Sequence, residues 1–228
     1  MRINDDLSKP TVVKGAQLDW LASPSPGVDR RMLFRIGGEV ARATSIVRYA
    51  PDSAFPRHTH GGGEEIFVLE GTFQDEHGDY PAGTYFRNPP GTSHVPASKD
   101  GCTIFVRLWQ YREEDREQLV RKPGEGTSIA PWTGATEARI LFDDGYEQVR
   151  LERFVAGATI EIDNPRGLEL LVIAGGIDFA GDELESQTWV RLPAGTEFRG
   201  TVRGGGATLW MKDAPLLHRG LLPLPQVT

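Results

Sequence analysis

Residues 58–71 read HTHGGGEEIFVLEG, and residues 83–94 read GTYFRNPPGTSH. In the first stretch, His58 and His60 are separated by one residue, and on a β-strand this spacing directs both imidazole rings to the same face. A glycine run then turns the chain, and a carboxylate opens the apolar segment that follows. Two imidazoles followed by a carboxylate indicate a metal site built on strands.

The second stretch supplies a third imidazole. His94 follows the Pro-Pro-Gly turn and lies 34 residues after His60. Three imidazoles and one carboxylate suit a borderline divalent ion such as iron, manganese, zinc, nickel or copper. Adjacent residues of a strand face opposite sides, so the pattern by itself leaves Glu64 and Glu65 as alternatives for the carboxylate.

The apolar and turn segments of these stretches recur later in the chain without the histidines. Residues 65–71 (EIFVLEG) resemble residues 169–175 (ELLVIAG), and residues 88–92 (NPPGT) resemble residues 192–196 (LPAGT). Both correspondences have an offset of 104 residues, which indicates two copies of one β-rich unit. With this offset the three histidines and Glu64, one of the two alternative carboxylates, fall on three apolar residues and an asparagine, namely Ile162, Asn164, Leu168 and Phe198. The second copy is therefore expected to hold an apolar core in place of a metal site.

Short strand-like runs separated by turns dominate the chain, which contains 27 glycines and 16 prolines. This composition predicts an all-β protein. The segment with helical character, 112–122, is almost wholly charged and ends at a Pro-Gly-Glu-Gly linker. We expect a first domain over residues 1–122, with an N-terminal arm and a C-terminal linker helix, and a second domain over residues 123–228. The predicted strands are Ser45–Tyr49, Glu65–Leu69, Thr84–Arg87, Thr103–Trp109, Gln148–Phe154, Leu168–Ala174, Thr188–Leu192 and Thr208–Lys212.

Charge and cysteine content exclude several classes of protein. The net charge of −7 argues against a nucleic-acid partner or an anionic membrane surface. No apolar run approaches the roughly 20 residues of a membrane span, and no secretory signal is visible, so we expect a cytoplasmic protein. Cys102 is the single cysteine, which excludes an intramolecular disulfide and cysteine-based zinc motifs. Its place before a strand predicts a small buried side chain and not a redox sensor.

The spacing of both stretches resembles the two motifs of the cupin superfamily. H-x-H-x3-E-x6-G from residue 58 is similar to the first motif, and G-x5-P-x-G-x2-H from residue 83 is similar to the second. The resemblance selects Glu64 over Glu65, which is then expected outside and solvated. It implies an all-β bicupin, that is, two tandem cupin barrels of the double-stranded β-helix (jelly-roll) type. The metal ligands that it implies are His58, His60, Glu64 and His94.

In finer detail, residues 55–96 resemble the ChrR-type cupins, which form the C-terminal half of zinc anti-sigma factors and have dioxygenases of β-diketones and hydroxyacetophenones as relatives. The resemblance implies one divalent ion (Zn, Fe, Mn or Ni) in the first barrel of a regulatory, oxidant-sensing module. The alternative that it implies is a metal-dependent, iron-containing dioxygenase of a small diketone or phenolic substrate. It identifies no catalytic residue beyond the ligands.

The resemblance also bears on partners. It implies a small-molecule ligand or substrate, and it names a sigma factor as a partner of the family. Sigma binding in that family belongs to an N-terminal zinc domain with paired cysteines, and the first 30 residues contain no cysteine. Direct sigma inhibition by this chain is therefore not expected. Two joined barrels are compatible with a monomer or a homodimer.

Overall fold

The computed structural model describes residues 1–216, 221 and 223–224. These residues form strands, turns and one short 3-10 helix, Gly15–Gln17, and there is no α-helix among them. In this part of the chain nothing helical is long and apolar enough to cross a membrane. The all-β class predicted from composition and pattern is confirmed.

The described strands are numbered in chain order. They are β1 (Arg2–Ile3), β2 (Thr11–Lys14), β3 (Leu21–Ala22), β4 (Val28–Gly37), β5 (Ala41–Tyr49), β6 (Ser53–Ala54), β7 (His58–Thr59), β8 (Glu64–Asp75), β9 (Gly78–Pro81), β10 (Tyr85–Asn88), β11 (Ser93–His94), β12 (Ala97–Ser98), β13 (Cys102–Leu108), β14 (Leu119–Arg121), β15 (Thr127–Ser128), β16 (Ala135–Asp143), β17 (Gln148–Phe154), β18 (Thr159–Ile162), β19 (Gly167–Phe179), β20 (Asp182–Glu185), β21 (Thr188–Pro193) and β22 (Phe198–Asp213). All eight predicted strands coincide with one of these elements, and only Thr84 and Trp109 lie one residue outside the observed strand.

The chain divides into two compact units after Gly124. Besides Asp19–Gly124, the first unit takes in the first five residues and the described residues from 221 onward. The second unit comprises Asp6–Leu18 and residues 125–216. The sequence placed the whole arm in the first domain, but β2 pairs with β21, so this part of the arm belongs to the second unit.

The main sheet of the first unit has the strand order β1-β4-β5-β13-β8-β10-β14, and all of its pairings are antiparallel. Alternate residues of β8 and β13 point into one apolar core, where Ile66 faces Val106 and Val68 faces Ile104. Strands β7 and β11 form a separate two-stranded sheet. This small sheet brings the two histidine-bearing stretches together.

The second unit repeats this order. Its main sheet runs β15-β16-β17-β22-β19-β21-β2, so β16, β17, β22, β19 and β21 take the places of β4, β5, β13, β8 and β10. The pairing of β8 with β13 skips Leu69, and the pairing of β19 with β22 skips Ile173, which lies 104 residues later. Even the β-bulge therefore recurs at the offset found in the sequence.

Residues 112–122 are not a helix, so the predicted linker helix is wrong. The segment turns after Arg112 and then runs extended into β14, which pairs with the edge of β10. Asp115 is buried and forms an ion pair with Arg87, which is 1% exposed. The dense charge pattern predicted a solvated helix, but the open edge of β10 and the buried guanidinium both require partners from this segment.

Glu65 lies on the opposite face of β8 from Glu64, as strand alternation predicts, but it is not solvated. It is 3% exposed, accepts a hydrogen bond of 2.6 Å from the Tyr85 hydroxyl and forms an ion pair with Arg107. The expectation of a solvated Glu65 is wrong because residues 110–115 cover this face of the sheet, with Gln110 accepting from Arg107 at 2.8 Å.

Candidate metal centre

Four side chains of the first unit converge at the end of β8. Their potential ligand atoms all lie within 4.8 Å of one another. We call this set the histidine–glutamate cluster; it consists of His58, His60, Glu64 and His94. Glu64 belongs to it and Glu65 does not, so the structure brings together the four residues that the motif resemblance selected.

Short-range hydrogen bonds explain why these stretches meet. In the two-stranded sheet His94 lies opposite His58. The backbone N–H of His60 donates to the carbonyl of Thr92 at 2.9 Å, and the N–H of Gly91 donates back to the carbonyl of His60 at 2.9 Å. The turn before His94 is thereby held against the His-Thr-His segment.

The glycine run between His60 and Glu64 is required by two aromatic side chains. A Cβ atom on Gly62 would lie 2.1 Å from the indole of Trp109, and one on Gly63 would lie 2.3 Å from the ring of Tyr111. Gly63 also has a φ of +79°, which favours glycine. Trp109 itself has a φ of +58°, a strained conformation for an aromatic residue that here sets its indole beside the cluster.

Each histidine of the cluster is oriented by an acceptor at Nδ1. His58 Nδ1 lies 3.1 Å from the carbonyl of Pro56, His60 Nδ1 lies 2.9 Å from the Thr92 hydroxyl, and His94 Nδ1 lies 3.2 Å from Asp75 Oδ2. Because Nδ1 of each ring is engaged, the Nε2 atoms remain to act as ligands. Sequence reasoning missed Thr92 and Asp75, although a hydroxyl beside the turn of the second motif was a usable signal for Thr92.

The donor set fits a metal ion. The Nε2 atoms of His60 and His94 are buried and, within the described residues, form no hydrogen bond. They lie 3.2 Å and 3.3 Å from the same oxygen of Glu64, Oε2, so the two nitrogens and this oxygen converge on one point. Buried polar atoms without partners are costly, and coordination of one ion would satisfy them together.

The electrostatics keep Glu64 ionised. Burial by itself raises the pKa of Glu64, but the adjacent His94 and the charges of the cluster histidines outweigh burial and lower it to about 2. Burial lowers the pKa of His60. Burial also opposes the charged form of His94, yet the carboxylates of Asp75 and Glu64 outweigh it and raise the His94 pKa to about 9. The cluster therefore presents a carboxylate ligand at every physiological pH.

A pocket of about 340 Å³ opens beside the cluster, and His58, His60 and Glu64 form part of its wall. The remaining wall is largely apolar and comes mainly from β4, β5 and β13, with Val40, Phe55 and Trp109 from the segments between strands. Its principal apolar residues are Val28, Val40, Val47, Phe55, Ile104, Val106 and Leu108. Two arginines of β4, Arg30 and Arg35, also line it, and sequence reasoning did not find them.

The second unit has no such cluster among its described residues. The counterparts of the ligands are all buried, and Ile162, Leu168 and Phe198 belong to one apolar core cluster. Asn164 uses its side-chain amide to donate to the carbonyls of Leu192, Pro193 and Thr196 at 2.9–3.2 Å. The predicted apolar interior of the second copy is confirmed.

Comparison with known protein families gives a match for the first half of the chain. Residues 8–112 match the family model of the ChrR cupin-like domain. This match covers the histidine–glutamate cluster and the pocket beside it. No curated protein sequence matches the chain significantly.

Solved structures match nearly the whole chain. A candidate dioxygenase from Nostoc punctiforme has a TM-score of 0.70 at 14% identity, over 97% of this chain and 88% of that one. A bacterial pirin from Escherichia coli in complex with nickel(II) has a TM-score of 0.66 at 13% identity, over 91% of this chain and 100% of that one. Quercetin 2,3-dioxygenase from Acinetobacter baumannii has a TM-score of 0.61 at 14% identity, over 91% of this chain and 80% of that one. Identities this low show a common fold only.

Proposed function

We propose that this chain, a member of the cupin superfamily, is a metal-dependent dioxygenase of a small diketone or phenolic substrate. In this proposal the histidine–glutamate cluster holds one divalent ion, and the adjoining pocket binds the substrate. The observation that carries the proposal is the position of the cluster in the pocket wall, since an ion held there faces a ligand-sized space and is not sealed in protein.

In this proposal the metal ligands and the residues of the pocket wall have different roles. Iron bound by the cluster would supply Lewis acidity and redox chemistry with dioxygen. His58 is only partly buried, so the ligand side nearest the pocket stays accessible. The apolar wall and the indole of Trp109 would hold the carbon skeleton of the substrate and exclude water. Glu64, which is ionised throughout the physiological range, would serve as a ligand and not as a proton donor.

The similar solved structures give this proposal limited support. Two of those named above carry dioxygenase in their descriptions, and the pirin was solved with nickel(II). These proteins share the fold with this chain, and one fold hosts many chemistries, so their activities do not transfer by likeness. The choice of reaction therefore depends on the cluster and the pocket.

Metal analysis followed by oxygen uptake tests the proposal. Full-length protein purified without chelators should contain about one iron per chain, and it should consume oxygen with β-diketones or phenols. His60→Ala should lose both the metal and the uptake. A wild-type protein that binds no divalent metal, or an uptake that is unchanged in His60→Ala, would overturn the proposal.

A second candidate function is oxidant sensing in a regulatory module, which the match of residues 8–112 to the ChrR cupin-like domain favours. Under this reading peroxide would release the metal from the cluster without turnover of any substrate, and a protein partner, a sigma factor by analogy, would bind in only one of the two states. Substrate-dependent oxygen uptake by a protein that retains its metal under peroxide would decide for the enzyme.

A further inference from the structure

The pocket contains a cationic wall that the proposed function does not use. Arg30 and Arg35 both line the pocket from β4. Arg35 is 4% exposed, and its guanidinium donates to the carbonyls of Gly38 and Glu39. Among the described residues no carboxylate lies within ion-pair distance of Arg35. Burying a cation without a counter-charge is costly, so this position calls for an anion.

Arg30 is only partly neutralised. It forms an ion pair of 3.1 Å with Glu39, whose side chain is 67% exposed, while its own Nε is buried and without a hydrogen-bond partner in the described part of the chain. Burial lowers the pKa of Arg35, and the nearby Arg30 charge lowers it further against the opposing effect of Glu39. Both guanidinium groups contact Glu39, Arg30 through the side-chain carboxylate and Arg35 through the backbone carbonyl, so the two cations lie near each other.

The charges of the whole pocket favour an anionic ligand. The two arginines contribute positive charge, and the carboxylates of Glu39 and Glu64 offset it. A divalent ion in the cluster would then leave the pocket positive. A positive, low-dielectric pocket attracts and holds anions.

The arginines and the cluster lie at opposite ends of an apolar band. Strands β13 and β5 separate β8 from β4, and the cross-strand register runs from Glu64 through Leu108 and Ala43 to Arg35. Strands in a sheet are spaced by about 4.8 Å, so these ends are about 14 Å apart between Cα atoms along the sheet. Both ends line the same pocket, so a ligand that reaches from the cluster to the arginines would have the size of a small organic molecule.

We infer that the pocket binds a small organic acid, with its oxygen donors at the histidine–glutamate cluster and its carboxylate between Arg35 and Arg30. The inference rests on the proposed function and narrows its substrates to those that carry a carboxylate at the end remote from the metal-binding oxygens. In the absence of substrate the exposed Glu39 forms an ion pair with Arg30, and the carboxylate of a bound substrate would replace Glu39 in this pair.

A matched pair of probes tests the inference by binding, without any need for turnover. Dihydrocaffeate has a catechol at one end and a propanoate at the other, and propylcatechol replaces the carboxylate with a methyl group. Isothermal titration of zinc-loaded full-length protein avoids oxidation of either probe. Dihydrocaffeate should bind at least about 10-fold more tightly, the lower end of what a hydrogen bond to a charged group provides.

Variants assign the difference to the cationic wall. The advantage of dihydrocaffeate should fall below about 3-fold in Arg35→Met and in Arg30→Gln, whereas the affinity for propylcatechol should not change. Glu39→Gln should increase the affinity for dihydrocaffeate several-fold, which a purely structural role of Arg35 would not produce. Arg48→Gln is the matched control, because Arg48 pairs with Asp29 outside the pocket lining and should leave both affinities unchanged.

The outcomes separate the inference from the proposed function. Equal, metal-dependent binding of both probes, or an unchanged ratio in Arg30→Gln and Glu39→Gln, would overturn the organic-acid inference alone. If neither probe binds, or if binding persists unchanged in metal-free protein and in His60→Ala, the proposed function is overturned as well. If Arg35→Met does not fold or loses zinc, Arg30→Gln and Glu39→Gln still decide the question, since both side chains are nearer the surface.

Discussion

The two units build the same strand order around different interiors. In the first unit His94 lies opposite His58, and in the second Phe198 lies opposite Ile162, in the same cross-strand relationship. One interior therefore presents imidazoles to a pocket, and the other closes with apolar side chains. The comparison shows that the same backbone arrangement can carry either metal ligands or apolar core residues at these positions.

The turn that serves the site is kept where the site is lost. The N–H of Gly91 donates to the carbonyl of His60 at 2.9 Å, and the N–H of Gly195 donates to the carbonyl of Asn164 at 2.7 Å. In the second unit the asparagine side chain adds hydrogen bonds to neighbouring carbonyls, which fix this turn without a metal. The same main-chain contact thus holds a candidate ligand in one unit and a structural amide in the other.

The two units differ far less in the residues on the outer faces of their sheets than in the residues of their interiors. Glu65 lies opposite Arg87 and Arg107 in the first unit. The second unit has an acid opposite two cations at the corresponding positions, which are Glu169, Arg191 and Lys212. All six side chains are buried. Charges buried in both units, whether or not a ligand cluster is present, point to a role in folding and not in ligand binding.

The largest expected difference between the units concerns metal binding. His60→Ala should lower metal affinity by more than about 100-fold, because removal of a ligand exceeds the 10–100-fold cost of removing an outer partner of a ligand. Asn164→Ala removes the counterpart side chain and should leave metal content unchanged, while the lost amide hydrogen bonds reduce the free energy of unfolding by about 1–3 kcal/mol. Elemental analysis and chemical unfolding of both variants check this. Equal loss of metal in both would break the comparison.

The next prediction concerns the buried acids on the outer faces. Glu65 and Glu169 each face two buried cations, and replacement by Gln removes the negative charge at that position, so each substitution should lower the free energy of unfolding by about 3–5 kcal/mol. Urea unfolding of metal-free proteins measures this, and metal content should stay near the wild-type value in both. A strong effect of only one substitution would show that the two outer networks are not equivalent.

Apolar and polar interiors should also differ in their sensitivity to truncation. Ile162 is buried in the apolar core of the second unit, and Ile162→Ala should cost about 2–5 kcal/mol of unfolding free energy. His58 occupies the matching position but is only partly buried, so in metal-free protein His58→Ala should cost less than about 1 kcal/mol. Thermal unfolding of the two metal-free variants gives the contrast, and similar losses would contradict it.

The sequence was sufficient for those features that depend on local spacing. His58, His60 and Glu64 lie within seven residues, and the offset of 104 located both the second sheet and its missing ligands. The hydrogen-bond partner Asp75 could not be predicted, because it is the last residue of β8 and meets His94 only in the tertiary structure. Arg30 and Arg35 of the pocket wall could not be predicted either, because they lie on β4, which contains none of the motif residues.

Burial was the second quantity that the sequence could not supply. Strand alternation gave the face of Glu65 correctly, but whether that face is covered depends on where residues 110–115 pack. The same packing decided against a helix at 112–122, because its charge pattern describes a solvated segment and Asp115 is not solvated. Periodicity reports the direction of a side chain, and only the tertiary fold reports what it meets.

The smallest expected effect concerns Cys102, and it separates the enzyme from a thiol-based sensor. Cys102 faces Gly71 in the register of the first sheet, and Ala207 faces Gly175 in the second, so Cys102→Ala gives the first unit the residue that the second already has. Burial raises the pKa of the Cys102 thiol from about 9 to about 11. The thiol therefore stays protonated and unreactive near neutral pH. Its contribution to stability is complete below the ordinary pKa and is lost as the pH rises through about 11.

Native protein at pH 8 should accordingly react with iodoacetamide far more slowly than unfolded protein, and Cys102→Ala should change the free energy of unfolding by about 1 kcal/mol or less. Metal content and probe binding should be the same as in wild type. Mass spectrometry of the alkylated protein measures the first quantity directly. Complete labelling of the native protein within minutes would mean that the thiol is open to oxidants, and the difference between the two sheets at this position would then be functional and not merely one of packing.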